Sequence, residues 1–142
     1  MMSLICGKAT NYDSVLFLAC NDITDTLKGL NSLGIEARAI DYDPKFEEKD
    51  FYTCKDFIFD EVDLTADLVI HMNCEKTYMF EKKGDVILIG DDKHHNGDCK
   101  PVLSCEQLVY QYGMEEVYEQ GHWSERATFL NGISHYWVYG RI

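Results

Sequence analysis

The sequence predicts an α/β fold with a mostly parallel sheet that ends in an antiparallel strand pair. Three observations carry this. First, Ser14–Cys20, Asp67–Met72 and Asp85–Gly90 are nearly continuous apolar runs, the pattern of strands covered on both faces. Second, the earliest run is followed within about thirty residues by a helical pattern and another short strand, which is a βαβ unit. Third, the tail from Glu115 holds Val117-Tyr118 and the aromatic-rich Ser134–Tyr139, with an Asn131-Gly132 turn before the latter. That arrangement reads as two antiparallel strands. A chain of 142 residues fits one domain, residues 1–142.

Taken in order, only thirteen residues precede Ser14, so no leading helix is expected. The first strand runs Ser14–Cys20, and Asn21-Asp22 supply cap-type side chains. Ile23, Leu27, Leu30 and Leu33 recur at helical spacing until Gly34, which stops the helix as a glycine beyond the C-cap does. Glu36–Ile40 is the second strand and ends at Asp41-Tyr42-Asp43-Pro44. Phe51–Cys54 is a short third strand, and the segment before it has room only for a rudimentary helix. Asp67–Met72 and Asp85–Gly90 are strands separated by a polar loop with a short helix. After the polar loop Asp91–Pro101, Ser104 opens a helix to Tyr112-Gly113, with Gln107 placed for a capping box.

Composition narrows the function. The 25 acidic and 13 basic residues give a net charge of −12 and a pI of about 4.6. Binding bare nucleic acid through a general basic surface is therefore not expected, nor is docking on an anionic membrane. Residues 41–67 alone hold ten carboxylates against three lysines. Such a run reads as a solvated face, a carboxylate-lined pocket or a surface that mimics DNA. No signal peptide or membrane span is legible, and the six cysteines form no CxxC pair. The expectation is a cytoplasmic protein with reduced thiols.

Parallel sheets bind ligands beyond the carboxyl ends of their strands. There the sequence places Asn21-Asp22, Asp41-Tyr42-Asp43, Lys55-Asp56-Phe57, Asn73-Cys74-Glu75 and Asp91-Asp92. In order and spacing these segments, with the closing Tyr139–Ile142, resemble a compact class I S-adenosylmethionine-dependent methyltransferase, most like those common in tailed-phage genomes. The resemblance implies a Rossmann-like fold from about Val15 to Ile142 and S-adenosylmethionine as cofactor. It makes Asp41 or Asp43 the acceptor for the ribose hydroxyls, since an ionised carboxylate offers two oxygens to a vicinal diol. It sets Asp56-Phe57 against the adenine, and Asn73 and Glu75 on the substrate side as catalytic candidates. In such proteins the first strand opens a glycine-rich turn. Here that turn is Leu18-Ala19-Cys20-Asn21-Asp22-Ile23, with Ala19 and Asn21 as cofactor-binding candidates and no glycine. Lys76 stands where related sequences have histidine after Cys-Glu.

Other residues invite sharper readings beside plainer ones. Asp41 and Asp43 are ribose ligands or else caps and surface charge. Asp56 is an adenine ligand or a turn carboxylate, and Asn73 and Glu75 are acceptor-facing or bonded to their own loop. His94-His95-Asn96-Gly97-Asp98-Cys99 matches no tetrahedral metal signature, so no metal is expected and a polar loop is the reading. Cys74 is a buried inert thiol, or a nucleophile if His71 serves as its base. The aromatic tail reads as packing or as a place to meet a second subunit. The functions that follow are a small S-adenosylmethionine-dependent methyltransferase with an unknown acceptor, an inactive relative with an acidic binding surface, or an enzyme that cleaves the same ligand. Candidate partners are a second copy of the chain or a basic protein.

Overall fold

A valine, two leucines and a phenylalanine in one apolar run bury themselves as a central strand. Val15, Leu16, Phe17 and Leu18 have no exposed surface in the computed structural model. It describes residues 1–76, 83–93, 100–125 and 132–142. The strands are β1 (Ser14–Leu18), β2 (Glu36–Asp41), β3 (Tyr52–Cys54), β4 (Leu68–His71), β5 (Asp85–Asp91), β6 (Glu116–Glu125) and β7 (Ile133–Arg141). They form one seven-stranded sheet in the order β3-β2-β1-β4-β5-β7-β6. β1, β2 and β3 pair in parallel, and β7 pairs antiparallel with both β5 and β6. This is the mostly parallel Rossmann-like α/β fold with an antiparallel C-terminal pair that the apolar pattern predicts. The chain divides into two compact units, residues 1–70 and 71–142.

The first unit opens with a helix the sequence reading omitted. α1 (Met2–Ala9) forms because Ile5 and Ala9, four residues apart on one helical face, are both fully buried. Eight residues suffice once that face has a core to cover. α2 (Thr24–Ser32) follows β1 and buries Leu27 and Leu30. Leu33 does not continue that face and is 68% exposed. The chain turns instead at Gly34, with φ at +81°. Gly34 N–H donates to Asn31 O at 3.0 Å and Ile35 N–H to Leu30 O at 3.1 Å, the paired bonds of a Schellman cap. Ile35, just beyond the turn, is buried while Leu33 is not. The Asn31 amide joins this helix end to β2, donating to Leu27 O and Ala37 O at 2.8 Å each. Between β2 and β3 the chain makes only one 3-10 turn, Pro44–Phe46.

In the second unit β5 is apolar from Val86 to Ile89 and buried along that length. α3 (Cys105–Gln111) starts at Ser104, whose Oγ accepts from Gln107 N at 3.1 Å. The capping box is altered in its return bond: Gln107 Oε1 accepts from Leu103 N, one residue before the cap, and Nε2 donates to Pro101 O. β6 is far longer than Val117-Tyr118, because pairing with β7 supplies ladder bonds to polar residues that carry no apolar signal. A bulge between Val117 and Glu119 takes up one extra residue. Asn131 of the proposed turn lies outside the described residues, as does the segment His94–Cys99. Among the described residues no helix is long and apolar enough to cross a membrane.

Candidate functional site

β1 ends at Leu18, and the backbone reverses through two residues in the left-handed region. Ala19 has φ of 50° and Asn21 has φ of 55°. Alanine adopts this conformation at a cost of about 1–2 kcal/mol and asparagine at a smaller one, and other bonds hold both. Ala19 N–H donates to Ile40 O at 3.1 Å. Asn21 N–H donates to Asp41 Oδ2 at 3.0 Å. The Tyr52 hydroxyl donates to Asn21 O at 2.6 Å and accepts from Ile23 N–H at 2.7 Å. Between them, Cys20 is buried and its thiol meets the same hydroxyl; burial pushes its pKa up to about 12. It is a neutral packing group at physiological pH.

Asp22 assists the start of α2 through Oδ1, which accepts from the backbone and hydroxyl of Thr24 at 3.2 and 2.7 Å. Its hydrogen bond from Lys49, and then those from Thr24, hold its carboxyl below the usual range. The cap position itself falls on Ile23, which has no capping side chain.

Of the ten carboxylates between residues 41 and 67, seven are exposed, Asp43 and Asp56 are half-buried, and Asp41 is buried at 5% exposure. The run is thus mainly a solvated face. Asp41 ends β2 beside the turn: Oδ2 holds Asn21 N–H, and Oδ1 accepts from Asp43 N at 3.1 Å. Asp43 caps the 3-10 turn by accepting from Lys45 N at 3.0 Å, and its Oδ2 lies 3.6 Å from Lys45 Nζ. Asp56 organises its own turn, accepting from Ile58 N at 3.0 Å, while Asp56 N donates to Asp60 Oδ2 at 2.8 Å. Phe57 beside it is half-buried. Asn21 and Asp41 therefore meet directly, with Asp43 attached through its backbone. Tyr52 is the member that sequence reasoning missed. A tyrosine in a three-residue strand carries no spacing signal, and only the parallel register that sets it against Ala39 brings it to this end of the sheet.

Asn73 and Glu75 belong to the second unit. Asn73 is half-buried, and its N–H donates to His71 Nδ1 at 3.3 Å. That bond puts the proton of neutral His71 on Nε2. Burial drives the His71 pKa down to about 3, and its ring meets Tyr112 edge-on. Cys74 is equally buried, with its thiol pushed up to about 12 by burial. It has the properties of the inert thiol, not of a nucleophile. Glu75 is 2% exposed, and its pKa is raised to about 7, first by burial and further by the charge of Asp91. Backbone N–H groups of Glu75 and Asp91 and the nearby Lys76 oppose that rise. Among the described residues no group of three or more His, Cys, Asp or Glu is placed to hold a metal ion.

No family model matches the sequence, and no curated protein matches it. Solved structures do. A coclaurine N-methyltransferase, bound to N-methylheliamine and S-adenosylhomocysteine, superposes with a TM-score of 0.57 at 14% identity over 88% of this chain. The N-methyltransferase NodS from Bradyrhizobium japonicum WM9 superposes with a TM-score of 0.53 at 8% identity over 98% of this chain. The chain spans half the length of the former and 96% of the latter. It shares the fold of these two N-methyltransferases.

Proposed function

We propose that this chain is a compact S-adenosylmethionine-dependent methyltransferase-like protein, of the small phage type, that holds its cofactor on the first unit. The observation that carries this reading is the turn after β1. Without a single glycine, its backbone takes the left-handed conformation at Ala19 and Asn21 and is tied to the carboxylate that ends β2. A glycine-rich turn supplies that conformation so that backbone can approach a ligand. Here Asn21 is exposed and Ala19 half-buried, so the turn remains within reach of one.

The donor set fits. Each oxygen of Asp41 accepts one backbone N–H, and a carboxylate oxygen has a second lone pair to offer a ribose hydroxyl. Asp43 stands next to it, and Asp56 with Phe57 supplies a polar edge and a ring for the adenine. S-adenosylmethionine, when bound, supplies an activated methyl group on a sulfonium. Asn73 and Glu75 are the residues proposed to act on the acceptor. Asn73 would orient it, and Glu75, with a pKa near neutrality, has the proton affinity of a general base. The setting proposed is the cytoplasm.

Calorimetric titration with S-adenosylmethionine and S-adenosylhomocysteine tests the reading. Saturable binding that is lost in Asp41→Ala supports it. Wild-type protein that takes up neither ligand at millimolar concentration overturns it. A second reading, an inactive relative that binds a basic protein or mimics DNA, is favoured by the seven exposed carboxylates of residues 41–67. It predicts salt-sensitive capture of a basic partner with no methylated product. If cofactor is consumed, product analysis separates methyl transfer from cleavage of the cofactor.

A further inference from the structure

We propose that Tyr52 is a positioning residue that locks the glycine-free turn after β1 in its ligand-ready conformation, taking over what glycine would do there. The ligand part of this proposal rests on the cofactor reading above; the lock itself does not.

Asn21 is held from both sides. Its N–H is fixed by Asp41 Oδ2 at 3.0 Å and its C=O by the Tyr52 hydroxyl at 2.6 Å. The peptide groups that define its φ and ψ are therefore both pinned. The same hydroxyl accepts Ile23 N–H at 2.7 Å, so one oxygen bridges the turn to the entrance of α2. The phenol thus donates once and accepts once across the turn.

The ring is placed as firmly as the hydroxyl. It stacks on Phe46 with centroids 4.5 Å apart and planes 7° from parallel, and Phe46 is fully buried. Tyr52 N–H donates to Lys49 O at 3.3 Å, and the residue pairs with Ala39 across the parallel ladder. A phenol anchored on β3 can thus restrain the backbone beyond β1. Donation to Asn21 O requires the phenolic proton, and burial raises the Tyr52 pKa above its ordinary value.

Glycine supplies the discriminating test. In the left-handed region glycine meets no Cβ penalty, so Asn21→Gly should make the tyrosine hydroxyl dispensable. The experiment is a double-mutant cycle of Tyr52→Phe and Asn21→Gly on the full chain. It is read by calorimetric binding of S-adenosylhomocysteine and by urea unfolding without ligand. Tyr52→Phe keeps the ring on Phe46 and removes only the hydroxyl. With Asn21 in place this removes the bonds to Asn21 O and Ile23 N–H and should weaken binding about tenfold. In the Asn21→Gly background the same change should cost less than about twofold. The unfolding midpoint should fall in the first background and move by less than half as much in the second. An equal loss in both backgrounds overturns the proposal and leaves Tyr52 a packing residue or a direct ligand contact. If the wild type binds no adenosyl ligand, the cofactor reading fails. The ligand-free cycle then still decides the lock, and absence of coupling there refutes it.

Discussion

Replacing Glu75 by glutamine should stabilise the protein relative to wild type increasingly as pH rises from about 5 to 8. The carboxyl is 2% exposed, and its pKa rises from 4.5 to about 7 on folding, with burial as the first cause and the Asp91 charge adding to it. Between those two values the folded chain keeps a proton that the unfolded chain has released. Folding stability from Glu75 is therefore fully present below 4.5 and is lost as pH climbs through 7. At about 1.4 kcal/mol for each tenfold in proton affinity, the whole loss is about 3 kcal/mol. Wild type alone would hide part of this, because His71 acts in the opposite sense. Its pKa falls from 6.5 to about 3, so its contribution grows as pH rises through that window. The difference between wild type and Glu75→Gln cancels the histidine. Glutamine keeps a carbonyl oxygen with two lone pairs for the backbone N–H groups, and any change in those bonds does not vary with pH. Urea unfolding of both proteins between about pH 4.5 and 8 reads the difference directly. A difference that stays flat within about 0.5 kcal/mol would refute the assignment of a buried, proton-retaining carboxyl.

Further substitutions test the packing and caps around the two units. Gly90→Ala places a Cβ 2.5 Å from Val102 Cγ2 and 3.4 Å from Cys74 Cβ. Overpacking there should lower unfolding stability by about 1–3 kcal/mol, measured in urea. Asn31→Ala removes both amide donations that join the end of α2 to β2. It should cost about 1–2 kcal/mol and speed hydrogen exchange at the Ala37 amide, which the Asn31 side chain also contacts. Ser104→Ala removes the α3 cap and should cost about 1 kcal/mol, restored by Ser104→Asp.

The positions of the candidate residues were legible wherever they follow from the end of a strand. Asp41 and Asn21 were readable because carboxyl ends of parallel strands gather ligand-binding groups, and the structure joins the two by a hydrogen bond. Asp56 was readable only as a position: its side chain is engaged in the turn it begins. Glu75 could be placed after a strand, but its proton affinity depends on burial and on Asp91, sixteen positions further along the chain. Tyr52 was invisible in this sense. Its place at the turn depends on the 2.6 and 2.7 Å bonds to residues about thirty positions away, and no local pattern encodes them.

The sequence by itself determined the α/β class, the first five strands in outline, and the antiparallel pairing of the tail. Those features follow from apolar periodicity and turn residues, which act over a few neighbours. Tertiary structure decided the rest. It made a helix of Met2–Ala9 because Ile5 and Ala9 found a core. It left Leu33 exposed and buried Ile35 beyond the Gly34 turn, and it extended β6 through polar residues along β7. It also held Ala19, beside Asn21, in a left-handed conformation that alanine disfavours. Local preference sets costs of about 1–2 kcal/mol at such residues, and several hydrogen bonds from distant strands together outweigh them.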